Sequence, residues 1–477
     1  MSIEFLCNLH ADGAEFPHFW EHTVGSGHAI LALRADWQAQ LRRAREELGF
    51  RHVRFHGILD DDMGTMVAQN EQPLYSFFNT DQIFDFLRSI GMRPFVELSF
   101  MPSMLASSSQ TIFRYRANVS SPKDYDLWAA LIQKLVGHWV DRYGLEEVRE
   151  WFFEVWNEPN LTAFGDANQE EYFKLYAVSA NAIKSVDVEL KVGGPATAAN
   201  AWIADLVRFS IEHSQPLDFI STHHYPTDSF GKPGDDTETQ LAMSKRSALR
   251  KEAGIARKEA GDRPLYYTEW CTSSNPRDAM HDEPYAAAFI VKTVMEARGL
   301  VQGYSYWTFS DIFEENYFPS IPFHGGFGLM NIHGIPKPAY RAFELLHALG
   351  NEILVVDGKH QTVDVWVVRS GSSVTVLISN FSLPHHSIND EEVRLTMTTP
   401  NPAVRASAKT IDVDRGNPKA HWVELGSPEY LSKENVDLLM QFSTLREDPV
   451  DVSNTMGTIN LFVVVKPLSV TAVTLFF

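Results

Sequence analysis

Cysteine is almost absent. The 477 residues hold only Cys7 and Cys271, so no disulfide framework braces the fold and a reducing compartment is expected. Basic charge is also short: 41 Lys and Arg stand against 61 Asp and Glu, a net charge of −20. Such a chain repels polyphosphate and no basic cluster offsets the excess, so nucleic acid and anionic membrane are excluded as expected partners. No apolar run reaches the ~18 residues of a membrane helix, and the apolar end of the chain is broken by Lys466 and Pro467. The opening Met-Ser-Ile-Glu-Phe-Leu-Cys lacks the basic and apolar stretches of a secretory leader, which gives a cytoplasmic location as the expectation. Gly25-Ser26-Gly27 lacks the spacing of a dinucleotide fingerprint. No cofactor or metal is expected, and a neutral small molecule is the expected partner.

What is present is a globular composition, 44% apolar and 21% charged, which excludes global disorder. From about residue 50 to 345, short apolar runs alternate with longer helical patterns. The runs are His52–Leu59, Pro94–Pro102, Trp151–Pro159, Lys191–Ala198, Phe219–Pro226, Leu265–Cys271 and Gly303–Ser310. Each reads as a buried strand of a parallel sheet. Ile83, Leu87 and Ile90 predict a helix capped by Thr80 and stopped by Gly91. Trp128, Leu131, Ile132, Leu135 and Trp139 form an apolar stripe ending near Gly144. Asn168 with Glu171 resembles a capping box. With one more strand near Ala29–Ala32, the count of eight favours a closed (β/α)8 TIM barrel over an open sheet.

After about residue 350 the pattern changes. Val363, Val365 and Val367 alternate with polar neighbours, and Ser370-Gly371-Ser372 turns the chain into Val374–Ser379, a predicted hairpin. Further β-rich runs at 393–397, 404–413, 459–465 and 470–477, with no comparable helical pattern between the later ones, predict a smaller accessory antiparallel β-sandwich. The expected division is a barrel over 12–345 and a sandwich over 346–477, with a strand contributed by residues 1–11.

Strand carboxyl ends face the active site of such a barrel, and two of them carry acids. Asn157-Glu158-Pro159 ends one run; there Glu158 can protonate a leaving oxygen while the Asn157 amide holds a neighbouring hydroxyl. Pro159 biases Glu158 toward an extended backbone. Thr268-Glu269-Trp270 ends another run three strands later. Two carboxylates across one mouth can hydrolyse a glycoside, with retention at ~5–5.5 Å separation and inversion at ~6.5–9.5 Å. Glu154 and Glu97 sit deeper in their strands and read as structural.

His223 and Tyr225 share one strand face; Tyr225 can donate to a nucleophilic carboxylate and His223 can bind a sugar hydroxyl. A metal set of His223, His224, Cys271 and His324 is the rival, weakened because adjacent histidines point to opposite faces. Trp307 offers a flat platform to the C–H face of a sugar, with Glu315 close behind it. His56 ends a strand and can face the pocket. Asn160-Leu161-Thr162 fits a glycosylation acceptor, yet a glycan there would block the mouth.

Taken together, Glu-Val-Trp-Asn-Glu-Pro-Asn at 154–160, His-His-Tyr-Pro at 223–226, Thr-Glu-Trp at 268–270 and Tyr-Trp-Thr-Phe-Ser-Asp-Ile-Phe-Glu-Glu at 306–315 resemble family 39 glycoside hydrolases. The likeness runs from Val24-Gly25-Ser26-Gly27 to Phe323-His324-Gly325-Gly326 and is strongest toward the family's bacterial β-xylosidases. It implies a (β/α)8 barrel with an accessory β-sandwich, Glu158 as acid/base and Glu269 as nucleophile. It also implies Asn157, His223, Tyr225, Trp307 and Glu315 around the glycone. The expected activity is retaining, exo-acting release of xylose from xylo-oligosaccharides or aryl β-xylosides. The family also contains α-L-iduronidases; an ionised Glu315 would repel an iduronide carboxylate, which favours a neutral pentose. An arabinosidase, a non-catalytic carbohydrate-binding homologue and a metal-dependent hydrolase are the remaining alternatives. Oligomeric state is left open.

Overall fold

A computed structural model describes residues 2–70, 72–232, 234–316, 318–399, 401–455 and 457–477. In chain order its principal strands begin with β1 (Ile3–Asn8), followed by β2 (Thr23–His28), β3 (His52–His56), β4 (Arg93–Leu98) and β5 (Phe152–Val155). Next come β6 (Lys191–Thr197), β7 (Phe219–His223), β8 (Leu265–Trp270) and β9 (Gly303–Tyr306). β2 to β9 pair in parallel in chain order and close on themselves, β9 to β2, as an eight-stranded barrel.

A helix follows each barrel strand: α1 (Ala35–Leu48), α2 (Phe78–Ser89), α3 (Tyr125–Tyr143), α4 (Gln169–Val186), α5 (Ile203–Glu212), α6 (Ala248–Ala260), α7 (Pro284–Ala297) and α8 (Pro338–His347). The expected α3 stripe is buried and Gly144 ends that helix. At α4 the Asn168 side chain caps Glu170 N and Glu171 N, while the Glu171 carboxylate accepts from the Tyr125 hydroxyl. Two local expectations shift. The strand sought near Ala29–Ala32 is β2, and Ala29–Leu33 is a 3-10 turn. Thr80 lies inside α2, its hydroxyl bonded back to Phe77 O, because Phe77 and not Thr80 occupies the cap.

The hairpin appears as β10 (Val363–Ser370) and β11 (Ser373–Asn380), followed by β12 (Glu391–Thr398), β13 (Arg405–Ile411), β14 (Thr458–Val465) and β15 (Ser469–Phe476). These strands form two sheets around a common apolar core that includes Phe5, Val367, Val376, Leu395 and Leu461. β1 enters the first sheet by parallel pairing with β12, and Ala14–Glu15 pairs with Glu352 and Ile353 at the edge of the second. Contrary to the purely β expectation, α9 (Pro418–Glu424) and α10 (Lys433–Ser443) lie between β13 and β14. Trp422 and Leu439 from these helices cluster with Phe323 and Ile335 of the barrel loops. Asp364 of β10 also binds Arg246 at 2.6 Å and Lys292 of α7 at 3.2 Å, tying sandwich to barrel. Among the described residues, no helix is long and apolar enough to cross a membrane.

Candidate active site

Alternation along the barrel strands stacks three layers inside it. The strand amino ends are plugged by the rings of Phe95, Phe152, Phe219 and Tyr266. Above them lies a charged layer built on Arg54, which is fully buried. Its guanidinium meets Glu97 at 2.8 Å, Glu154 at 2.5 Å, Glu269 at 2.7 Å and Asn157 Oδ1 at 2.9 Å. A buried cation of this kind is stable only when its donors are fully engaged, and four acceptors do that here. Above this layer opens a cleft of about 230 Å3 lined by His56, Asn157, Glu158, Tyr225, Glu269, Trp307 and Glu315, with Phe113 and Asp228 at its walls.

Backbone irregularities aim the two mouth carboxylates. The register of β7 on β8 slips by one, pairing Thr222 with Tyr267 but His223 with Glu269. The extra residue is Thr268, and such a bulge lets consecutive side chains serve one face. Thr268 therefore points into the barrel while Glu269 reaches the mouth. Glu158 departs from the extended backbone expected before Pro159: its φ is +43°, in the left-handed region. Its N–H is bonded to Ala196 O of β6 at 2.8 Å, which holds that strained turn.

A Glu158 oxygen, a His223 nitrogen and a Glu269 oxygen all lie within 4.8 Å of one another. The carboxylates differ in their partners. Glu269 receives Arg54 at one oxygen and the Tyr225 hydroxyl at the other, at 2.8 Å. Among the described residues, the Glu158 carboxylate is hydrogen-bonded only to His223 Nδ1, at 3.0 Å. Burial pushes Glu158 up to about 7, against the lowering pull of His56 and Arg54, with Glu97 adding to the rise.

Glu315 is pushed up to about 8, first by burial and then by Glu269, Glu158 and Glu97, with His56 opposing. Its buried Oε1 has no hydrogen-bond partner among the described residues and lies 3.4 Å from His56 Nε2. His56 is itself raised to about 9: burial opposes this, but Glu97, Glu315 and Glu269 outweigh it. A largely neutral Glu315 beside a cationic imidazole does not supply the anionic repulsion expected from the sequence.

Trp307 packs edge-on to Phe313 and lies so close to Gly25 that a Cβ there would stand 2.5 Å from its ring. His223 is fully buried. Where the sequence suggested a nitrogen offered to sugar, Nδ1 faces Glu158 and Nε2 faces Thr268 Oγ1 at 3.1 Å. Sequence reading missed Arg54, Thr268, Phe113 and Asp228. Arg54 could have been found from its place two residues before His56 in an apolar strand; Phe113 sits on a turn and Asp228 in the four-residue helix Pro226–Ser229, too short to carry a periodic signal.

The family model of glycosyl hydrolases family 39 matches residues 5–458. A β-xylosidase of Caldicellulosiruptor saccharolyticus is 48% identical over 96% of this chain and 95% of its own. One from Geobacillus stearothermophilus is 38% identical over 91% and 88%. The crystal structure of a GH39 enzyme from Xanthomonas axonopodis pv. citri superposes with a TM-score of 0.89 at 35% identity, covering 100% of this chain and 98% of that one. The barrel, the paired mouth carboxylates and a match across nearly the whole length place this chain in glycosyl hydrolases family 39.

Proposed function

We propose that the protein is a retaining, exo-acting β-D-xylosidase that removes xylose from the non-reducing end of xylo-oligosaccharides and aryl β-xylosides. The observation that carries this reading is the approach of Glu158 and Glu269 oxygens to within 4.8 Å, close to the ~5–5.5 Å of a retaining pair and well short of the ~6.5–9.5 Å that leaves room for the water of an inverting site.

In the first step Glu269 attacks the anomeric carbon while Glu158 gives its proton to the departing oxygen. Water then enters, ionised Glu158 takes its proton, and the covalent glycosyl–Glu269 ester is hydrolysed. Burial suits Glu158 to hold a proton near neutral pH, and the Arg54 and Tyr225 donors hold Glu269 in line. Asn157 gives its Oδ1 to Arg54, so its Nδ2 remains to donate to the sugar hydroxyl beside the anomeric centre. Glu315 Oε1, without a hydrogen bond among the described residues, is assigned to a distal hydroxyl, and Trp307 to the C–H face of the ring. A cleft of about 230 Å3 without Lys or Arg among its lining residues suits one small neutral glycone. The two free, buried cysteines suit a cytoplasmic enzyme acting on imported oligosaccharides.

The test is a proton NMR time course with an aryl β-D-xyloside. β-Xylose appearing first, then mutarotating, supports the reading; α-xylose first removes Glu269 as nucleophile. Inertness toward β-xylosides with turnover of α-L-iduronides or α-L-arabinosides would reassign the substrate.

A further inference from the structure

Donor and acceptor accounting fixes more than the two carboxylates. Glu154 is ion-paired with Arg54 and accepts from Thr268 Oγ1 at 2.7 Å. A hydroxyl has one proton, so Thr268 has none left for His223 and must accept from Nε2–H at 3.1 Å. A neutral imidazole also carries a single proton. His223 is held neutral: burial lowers it to about 4, Arg54 acts in the same direction, and Glu269, Glu154 and Glu97 oppose. Its Nδ1 is then a lone pair, and the 3.0 Å contact with Glu158 Oε1 is a hydrogen bond only when Glu158 supplies the proton.

We infer that Thr268 is a positioning residue that locks His223 in its Nε2–H tautomer and thereby selects the protonated form of Glu158 before substrate binds. The inference rests on Glu158 being the acid/base. Once Glu158 has protonated the leaving group, its carboxylate faces a lone pair instead of a donor. That contact no longer holds it, and the carboxylate is released toward incoming water. A single locked imidazole thus favours the acid at the start of the cycle and frees the base in the middle.

The groups facing Glu158 besides His223 are Glu269, His56, Arg54 and Glu97 and Tyr225, with Asp228 across the cleft and Glu315 beyond it. Those facing His223 besides Glu158 are Glu269, Arg54, Glu154 and Glu97. Replacing Thr268 changes none of these charges.

The test compares Thr268→Val, which keeps shape and loses the hydroxyl, with Thr268→Ser, which keeps it. In the valine variant Nε2 loses its acceptor, the Nδ1–H tautomer becomes available, and that tautomer donates to ionised Glu158. The basic limb of kcat/KM should move down by ~1 pH unit, the worth of one hydrogen bond to the acid form, and the serine variant should restore it. Nitrogen-15 spectra of histidine-labelled protein, with His223 assigned from its loss in His223→Asn, read the tautomer without turnover. Protonated-type Nε2 with bare Nδ1 in the wild type, exchanged in Thr268→Val, supports the inference. Protonated-type Nδ1 in the wild type overturns it, as does an unmoved basic limb in an active valine variant. Should the wild type hydrolyse no glycoside, the proposed function falls while the nitrogen spectra still decide the tautomer.

Discussion

Glu269 is held by two donors and Glu158 by one imidazole, and this asymmetry yields separable predictions. Glu269→Gln removes the proposed nucleophile and should lower kcat by on the order of 10^4–10^6-fold. Its melting temperature should stay within a few degrees, since the amide oxygen can still accept from Arg54 while the amide NH2 donates to the Tyr225 hydroxyl oxygen. Glu158→Gln removes only proton transfer, worth ~10^2–10^4-fold. Its loss should be large for xylobiose and small for a nitrophenyl xyloside, whose leaving oxygen needs no proton; equal losses on both would remove Glu158 from the acid role. The acid form is the one required, so kcat/KM should fall as pH rises through about 7, where Glu158 ionises. At this scale the sequence was informative about the strand-end acids and Tyr225, because chemistry at a strand end follows from topology. It was silent on Thr268, because strict alternation gives Thr268 and Glu269 opposite faces and only the bulge in β8 reconciles them.

Among the elements, β2 carries little side chain and is tightly constrained. Gly25 lies against the Trp307 ring, and Gly27 against Phe313, where an added Cβ would stand 2.8 Å away. Gly25→Ala should displace the Trp307 platform and lower kcat/KM roughly 10-fold or more. The accompanying stability loss should be ~1–3 kcal/mol, the usual cost of overpacking; unchanged kinetics would show that Trp307 does not carry the sugar. The helices of the barrel were legible from the stripe of α3 and the cap of α4, because periodic burial writes itself into spacing. β2 was misplaced toward Ala29–Ala32 because its Gly-Ser-Gly lacks the branched residues that mark strands. α9 and α10 escaped notice because they are short and bury little beyond Trp422 and Leu439.

For the molecule as a whole, two further consequences are measurable. His28, His56 and His281 are each raised to about 9, with burial opposing and acidic or thiol neighbours outweighing it. Their stabilisation is complete below about 6.5 and lost as pH climbs through 9. Glu315, raised to about 8 mainly by burial, resists ionisation in the fold and so also costs stability on that climb. The melting temperature should therefore fall between pH 7 and 9, and a rise across that window would contradict the ion pairing drawn here. Asp364→Asn should lower the melting temperature by several degrees by weakening the tie to Arg246 and Lys292, while leaving the kcat/KM of folded enzyme unchanged. A large kinetic effect would mean that the sandwich positions the cleft.

The parallel pairing of β1 with β12 also sets a clock on biosynthesis. Ile3–Asn8 leave the ribosome about 390 residues before their partners, Val393–Thr398. At ~5–20 residues per second the leading strand waits roughly 20–80 s for its neighbour. During that interval Phe5 and Cys7, buried in the finished protein, have no core to enter, so the nascent chain carries an exposed apolar segment that only late synthesis can stow.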